Sequence, residues 1–475
     1  MIPHSLPAIP ELLYRIGELA DKSGTPCYLV GGYVRDMLMH RPCSDIDIMV
    51  IGDPVAFAKI VHDELQGRNF VLFERFRTAQ LELTDSIQGS FKVELVGARK
   101  ESYNSDSRKP VTLIGTLDDD LSRRDFTINA LALTLNREGR NQIIDHFHGV
   151  EDIEARILRT PLDPEQTFSD DPLRMMRTAR FAAQLDFQPL PEVLEAMHSM
   201  CDRVKIVSME RVSQEFLKIM LSPRPSIGLV ILYETGLLKE LMPEVAAMAG
   251  IEQVDGMGHK DTLFHTFQVI DNVAAHSPNL WLRIAALLHD IAKPVTKRFT
   301  KSAGWTFHGH DAVGIKFVSK IFRYRRWPHD PLDYVQKMVR LHHRPIPLSK
   351  DEISDSAIRR LMFDAGEDLR DLMSLCKADV TSKNPKKVSR IMNNFNLVEA
   401  KIAEVGEKDQ LAKWRPPVSG EDIMALLGLP EGKTVGMIKK RMENAVIDGL
   451  IPYDRDAALD YIRLIYQEMR SAETL

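Results

Sequence analysis

The sequence predicts an α/β head followed by a chain that stays helical to its end. Three observations predict this. An apolar run, Tyr28 to Val30, is broken by Gly31 and Gly32, resumes as an apolar-periodic helix near Val34, and is followed by the alternating stretch Asp45-Ile46-Asp47-Ile48-Met49-Val50. Strand signals fade beyond Glu151, where helical periodicity takes over. The length of 475 residues allows several domains.

Composition narrows the class. An apolar fraction of 44% and a charged fraction of 27% are those of an ordinary globular protein. No apolar run reaches about 18 residues, so no membrane span is expected. Met1 to His4 lacks the basic-then-apolar layout of a signal peptide. Cys27, Cys43, Cys201 and Cys376 are scattered, with no metal-ligand pairing, which fits reduced thiols in a cytoplasmic protein. A net charge of −5 neither demands nor excludes nucleic acid, because a binder needs only a local basic track.

Residues 6–22 read as an amphipathic helix leading into the Tyr28 strand. Gly31 and Gly32 let the backbone approach a bulky group, and the helix start that follows presents free N–H groups, which suits phosphate. In the alternating stretch Asp45 and Asp47 share one face while Ile46 and Ile48 share the other. Carboxylates at i and i+2 can hold one or two Mg²⁺ ions beside a triphosphate, as phosphoryl transfer needs. A Gly-Gly turn or an Asp-x-Asp alone also fits a solvated strand end. Strand, turn, helix and Asp-x-Asp in this order resemble the active-site signature of the DNA polymerase β-like nucleotidyltransferase superfamily.

Residues 54–66 read as a helix with Phe57, Ile60, Val61 and Leu65 on one side. Strands are expected over Ala79–Leu83 and Phe91–Val96; in the second, Lys92, Glu94 and Val96 share the face opposite Phe91, Val93 and Leu95. Glu94 is either a third carboxylate of the site or a solvent-facing strand charge. Residues 99–110 are polar and turn-rich and read as a mobile loop near the site. Asp118, Asp119 and Asp120 then precede Arg123-Arg124-Asp125 and an expected amphipathic helix containing Asn129. Arginine forks suit phosphate and ribose oxygens, although surface ion pairs at a helix start are the alternative. Ile143 to Gly149 closes the first domain with a strand and turn.

In Ser169-Asp170-Asp171-Pro172-Leu173-Arg174, Ser169 or Asp170 is expected to cap a helix with Pro172 in its first turn. Asp171 and Arg174 are three apart and are expected on one helix face, continued by Arg177 and Arg180. Such a pair is either a surface salt bridge worth under about 1 kcal/mol or a set of acceptors and donors for a base edge.

Together these stretches resemble the class II tRNA nucleotidyltransferases, the CCA-adding enzymes, over roughly residues 25–185. The features are the Gly-Gly-x-x-Arg-Asp turn, the Asp-x-Asp, the polar loop before Arg123-Arg124-Asp125-Phe126-Thr127-Ile128-Asn129-Ala130, the Asp145–Gly149 turn and the Asp-Pro-Leu-Arg helix. The resemblance implies that Asp45 and Asp47 bind catalytic Mg²⁺. Gly31, Gly32 and Arg35 would hold the triphosphate, and Arg123, Arg124, Asp125 and Asn129 the nucleotide. Asp171 and Arg174, with Arg177 and Arg180 beside them, would select the base without a nucleic-acid template. Asp170 stands where that family usually has Glu.

Residues 186–250 read as helical connectors, in which Arg203-Val204-Lys205 and Pro223-Arg224-Pro225 either meet RNA backbone or are solvated. Beyond them His265, His289-Asp290 and Asp379 resemble the core signature of the HD phosphohydrolase family. His310 and His342 stand where dinuclear members place further ligands, with His343 an alternative to His342. The resemblance implies a divalent metal; imidazole with carboxylate suits Mn, Ni, Co, Fe or Zn better than Mg alone. Arg323-Tyr324-Arg325-Arg326-Trp327, Lys383 to Lys387 and Lys439-Lys440-Arg441 are candidate phosphate contacts along a tRNA acceptor arm, or solvated surface. Pro416-Pro417 reads as a linker to a helical tail.

The expectation is therefore a nucleotidyltransferase head (1–150), a helical neck and body (151–250), an HD domain (251–390) and a helical tail (391–475). The expected activity is addition of CCA to tRNA 3′ ends from CTP and ATP, with room for a metal-dependent phosphohydrolase activity in the HD domain. No membrane contact and no obligate protein partner are evident. Poly(A) synthesis, partial CC or A addition, and a chain that is mainly a nucleotide phosphohydrolase are the alternatives. The 99–110 loop favours full CCA addition, since the resemblance ties the C-to-A switch to such a loop.

Overall fold

The computed structural model describes residues 9–43, 45–73, 77–85, 89–104, 107–251, 253–254, 257–258, 261–345, 354–382, 384–408 and 417–472. The chain divides into two compact units, Met1–Ala246 and Ala247–Leu475.

The first unit opens with α1 (Glu11–Ser23), β1 (Cys27–Val30), α2 (Gly32–Leu38), β2 (Asp45–Val50) and α3 (Pro54–Leu65). β3 (Arg68–Phe73), β4 (Thr78–Asp85), β5 (Gly89–Gly97), a ribbon of β6 (Arg99–Asn104) and β7 (Ser107–Ile114), α4 (Leu117–Ser122), β8 (Ala132–Thr134) and β9 (Ile143–Ile144) follow. The main sheet runs β3-β4-β5-β2-β1-β8-β9. β2 and β5 are parallel, and the other neighbours are antiparallel. Alternation sorts its faces. Leu29, Ile46, Ile48, Val93 and Leu95 join Leu13, Ile16, Phe57 and Val61 of α1 and α3 in one core. Val30, Met49 and Ala132 form a smaller cluster on the opposite face with Leu121 of α4, the face that carries Asp45 and Asp47. α3 starts where Asp53 accepts from Val55 N and Ala56 N and Pro54 fills the first turn.

Two local expectations are corrected here, and one strand was not expected. Residues 99–110 are not a plain loop, since β6 and β7 pair as an antiparallel ribbon, with residues 105–106 outside the described residues. The helix expected after Arg123-Arg124 lies before it instead. Thr116 and Asp119 build a capping box that starts α4 in the acidic run, while Thr127–Asn129 is a single 3₁₀ turn. β3 had no clear signal, because at the sheet edge none of its positions is fully buried and Val71 and Phe73 are exposed.

The rest of the unit is helical apart from a two-residue pairing of β10 (Ile157–Leu158) with β11 (Gln188–Pro189). It contains α5 (Gly149–Ala155), α6 (Pro164–Asp170), α7 (Leu173–Leu185), α8 (Pro191–Ser199), α9 (Met209–Met220), α10 (Pro225–Glu234), α11 (Leu237–Leu241) and α12 (Pro243–Ala246). Neither Ser169 nor Asp170 caps α7, because both still belong to α6. Asp171 sits extended between the two helices, and its Oδ1 accepts from Leu173 N at 3.1 Å.

The second unit holds short antiparallel pairs β12–β13 (Gln253–Val254, Met257–Gly258) and β14–β15 (Arg298–Thr300, Gly304–Thr306). Its helices are α13 (Thr262–Ala274), α14 (Leu280–Leu288), α15 (Lys293–Thr296), α16 (His310–Arg325), α17 (Leu332–Leu341), α18 (Asp355–Ala365), α19 (Leu369–Ala378), α20 (Pro385–Lys408), α21 (Gly420–Leu427), α22 (Lys433–Ile447) and α23 (Arg455–Ala472). Asn279 caps α14, whose Leu282 and Ile284 to Leu288 are buried and end at His289. The basic–aromatic stretch at 323–327 is not one exposed patch. Trp327 and Arg325 are buried, and Trp327 packs edge-on against Trp281 and Phe322, while Tyr324 is exposed. The last three helices close a small core around Ile423, Ile438, Met442 and Ile462. Lys383 and Pro416 lie outside the described residues. No described helix is long and apolar enough to cross a membrane.

Candidate active sites

An open cleft of about 1090 Å³ in the first unit gathers every candidate from the head and from α7. Asp45 and Asp47 project from β2, and the parallel register sets Asp47 opposite Glu94 and Asp45 opposite Lys92 on β5. Glu94 therefore faces the same cleft and is not an outward strand charge. Solvent reaches Asp47 from the mouth, yet partial desolvation and then Asp45 push its carboxyl up against the pull of Arg124 and Lys92. Burial and the Asp47 charge likewise raise Glu94. Like charges crowded on one wall are what a cation would relieve.

The Gly-Gly turn has a second purpose. Gly31 has φ +71°, and a Cβ there would stand 2.6 Å from Arg124 Nη1. The glycine both supplies the turn and leaves room for a guanidinium over the strand end. Asp120 holds the two arginines. Its Oδ2 accepts from Arg124 Nε at 3.2 Å and Nη2 at 2.9 Å, and its Oδ1 accepts from Arg123 Nε at 3.1 Å. Burial opposes charge on Asp120, but the paired arginines outweigh it and hold its carboxyl low.

Arg35 and Asn129 are turned inward. Arg35 donates Nε and Nη2 to Asp36, both at 2.9 Å, and Nη1 to Asn129 Oδ1 at 2.7 Å. Asn129 Nδ2 donates to Asp125 Oδ1 at 2.9 Å, and Asp125 Oδ2 accepts from Arg177 Nε at 2.6 Å. Against its burial, Arg177 and Asn129 bring the Asp125 carboxyl down to about 2. Arg180 is buried against Glu215, Nη1 to Oε2 3.0 Å, and burial followed by Arg177 pushes it down to about 10. Phe181 lies under three guanidiniums, at 5.1 Å from Arg35, 5.4 Å from Arg177 and 4.2 Å from Arg180.

Asp171 and Arg174 both line the cleft, but not as neighbours on one helix face. Arg174 donates to Thr167 O at 3.2 Å and to Arg123 O, which ties it to the arginine pair. Asp171 Oδ2 accepts from Arg211 Nη2 on α9 at 3.0 Å. Arg211 escaped the sequence reading, because no spacing links it to a residue forty positions earlier.

In the second unit His265, His289 and Asp379 converge, as do Asp290, His310, His342 and His343, each set with ligand atoms within 4.8 Å. The head carboxylates share a wall without closing to that spacing. Asp290 joins the two sets: its Oδ2 lies 3.2 Å from His289 Nε2 and its Oδ1 lies 3.5 Å from His310 Nε2. His289 Nδ1 faces Ala286 O at 2.8 Å, His310 Nδ1 faces Phe307 O at 2.7 Å, and His342 Nδ1 faces Val339 O at 2.7 Å. A carbonyl only accepts, so each Nδ1 carries a proton and each ring turns its Nε2 inward, the atom that would offer a lone pair to a cation. His310 and His342 thus bring their Nε2 atoms to 3.4 Å of each other. Among the described residues, buried Asp290 Oδ1 and His289 Nε2 have no hydrogen-bond partner, the 3.2 Å approach of His289 to Asp290 lacking hydrogen-bond geometry. Burial opposes charge on His289, yet Asp290 and Asp379 push it up to about 10, while burial and the neighbouring imidazoles push His342 well down. With two of its inward-facing atoms orphaned in this way, the set could hold a metal ion. His343, set down as an alternative to His342, comes into the cluster together with it, 3.0 Å from His310 Nε2.

Comparison with known proteins matches residues 27–159 to the poly A polymerase head domain, 186–248 to the probable RNA and SrmB-binding site of polymerase A, and 262–384 to the HD domain. The chain is 31% identical over 425 residues to the A-adding tRNA nucleotidyltransferase of Deinococcus radiodurans, covering 88% of this chain and 90% of that one. It is 30% identical over 438 residues to the CC-adding tRNA nucleotidyltransferase of Thermus thermophilus, covering 90% and 91%. With the multifunctional CCA protein of Shewanella frigidimarina it shares 31% over 369 residues, covering 75% and 84%. Its fold matches the Bacillus stearothermophilus CCA-adding enzyme in complex with CTP, with a TM-score of 0.66 and 22% identity over 97% of this chain and 98% of that one.

Proposed function

The chain belongs to the family of tRNA nucleotidyltransferases and poly(A) polymerases, and from that premise we propose that it adds C, C and A to the 3′ end of tRNA, using CTP and ATP and releasing pyrophosphate. The observation that carries the proposal is the single cleft in which Asp45, Asp47 and Glu94 meet Arg123, Arg124, Asp171 and Arg174.

Asp45 and Asp47, with Glu94 beside Asp47, would hold Mg²⁺, which when bound neutralises the triphosphate and favours the ionised attacking hydroxyl. Gly31 and Gly32 leave room for the phosphates, and Arg124, fixed over Gly31 by Asp120, meets them with Arg123. Arg35, Asn129, Asp125 and Arg177 act as a brace, because their hydrogen bonds are already made to one another. Arg180 acts with them through its pair with Glu215. Asp171 offers an acceptor and Arg174 a donor to the edge of the incoming base.

A second reading is partial addition of CC or of A alone. It is favoured by the likeness to an A-adding and a CC-adding relative over about nine-tenths of their lengths. The test is to incubate the purified chain with Mg²⁺, CTP, ATP and a tRNA ending at its discriminator base, then sequence the 3′ ends. CCA ends support the main reading. A stop at CC, or a need for a pre-existing CC, supports the second; a run of A points to poly(A) synthesis.

For the second unit the proposal is a metal-dependent phosphohydrolase site. His265, His289, Asp379 and Asp290 would hold one divalent transition metal, and Asp290, His310 and His342 with His343 would hold another. Such a centre polarises a phosphoryl oxygen and a water. A role in tRNA processing, as the names of its relatives suggest, would put the chain in the cytoplasm.

A further inference from the structure

Lys92 is a cleft residue that the reading so far leaves without a task. It lies on β5 two residues before Glu94, on the carboxylate face, and is exposed to the cleft. The register sets it between Asp45 on β2 and Glu82 on β4, and Glu94 between Asp47 and Gln80. Adjacent strands are about 4.8 Å apart, so an ammonium there has two carboxylates within reach. It nevertheless has no hydrogen bond or ion pair with any described residue. Glu82 is engaged elsewhere, accepting from Asn69 Nδ2 at 2.8 Å.

The sheet order gives this free cation a meaning. β2 lies between β1 on one flank and β5 on the other. The β1 flank carries the Gly31 turn with Arg124 packed over it, and Arg123 beside Arg124 on Asp120. Nucleotidyl transfer proceeds in line, with the attacking oxygen and the leaving pyrophosphate on opposite sides of the α-phosphorus. With the pyrophosphate drawn to the arginines at β1, the attacking 3′-hydroxyl of the RNA arrives from the β5 flank. The charge nearest that hydroxyl is the phosphodiester joining the last two nucleotides.

We propose that Lys92, with the Gln80 amide one strand further out, forms a subsite for the 3′-terminal phosphodiester of the RNA being extended. The proposal rests on the nucleotidyl-transfer reading of the cleft and adds to it where the primer lies. Lys92 is here a positioning residue: it binds a substrate phosphate as a point charge and takes no part in bond making. Unlike the arginines of the β1 flank, it would not contact the incoming triphosphate.

The test is steady-state extension of a tRNA ending at its discriminator base, with Lys92→Ala and Lys92→Arg compared with the unaltered chain. Lys92 is exposed, so neither substitution disturbs the core. Lys92→Ala is expected to raise KM for tRNA roughly tenfold, the scale of one charge-assisted contact. KM for CTP at saturating tRNA should stay the same, and Lys92→Arg should restore most of the loss. The slope of log kcat/KM for tRNA against log salt should fall by about 0.7, one single-strand phosphate contact. A raised KM for CTP with an unchanged KM for tRNA would assign Lys92 to the triphosphate and overturn the proposal, as would an unchanged salt slope. If the unaltered chain extends no RNA with any nucleoside triphosphate, the transfer reading falls first and the subsite with it.

Discussion

Asp125 and Arg177 are bonded at 2.6 Å, carboxylate Oδ2 to guanidinium Nε, and this pair ties the turn after α4 to the middle of α7. Asn129 and Arg35 extend it back to the start of α2. The elements proposed to meet the triphosphate and the base are thus held in one register by buried polar bonds. Breaking the pair leaves a buried charge unpaired.

The Asp125 pair makes a pH-dependent contribution to stability. Its folded carboxyl lies at about 2, below the ordinary value of 3.8. The stabilisation is therefore complete above the unfolded value and is lost as pH falls toward about 2. Linkage puts it at about 2 kcal/mol near neutral pH. Asp125→Asn should lower the urea midpoint at pH 7 and shrink the drop between pH 5 and pH 3; denaturation curves at the two pH values check this.

Asp45→Ala should abolish addition of all three nucleotides while tRNA binding in a gel-shift assay persists, since Asp45 faces the cleft and supports no core contact. Glu94→Gln keeps the shape but removes a charge beside Asp47, and should slow extension on the order of 10-fold to 100-fold through weakened Mg²⁺ affinity. Rescue of Glu94→Gln at high Mg²⁺, followed by primer extension, distinguishes that from a fold defect.

Arg174→Ala should blur the choice between C and A more than it slows pyrophosphate release. Arg211→Ala should do the same more weakly, because it frees Asp171 Oδ2 from its 3.0 Å bond and lets the carboxylate wander. Sequencing of products formed in equimolar CTP and ATP reads both; unchanged fidelity in Arg174→Ala would remove the base-selecting role.

Asp290→Asn, at the carboxylate between the two histidine sets, should cut the transition-metal content of the purified chain and any phosphohydrolase activity. Extension of tRNA should be intact. Elemental analysis beside an extension assay makes the comparison, and undiminished metal content would count against the shared carboxylate.

Much of both sites was legible in the chain because their residues come in short runs. Asp45 with Asp47, Arg123 with Arg124, and His289 with Asp290 each carry their chemistry at a fixed spacing on one element. What escaped depends on distance through space. Arg211 reaches Asp171 from another helix, and Asn129 bonds Arg35 across 94 positions. Their polar side chains read as free ligands in the sequence, whereas the fold turns Arg35 and Asn129 inward. The ribbon of β6 and β7 was hidden because its polar composition resembles a loop. Trp327 misled in the opposite way, since an aromatic among arginines reads as an RNA contact until packing shows it under Trp281.

The carbonyl anchors on His289, His310 and His342 have a kinetic consequence. Each ring is already held at Nδ1 by a residue three positions earlier in its own chain. The rotamer freedom that ligands usually surrender on coordination is gone before an ion arrives. Uptake should be that of a rigid cage, limited by access and by proton release from the rings and not by backbone rearrangement. The folded chain should then exchange one metal for another with little change in its amide hydrogen-exchange pattern.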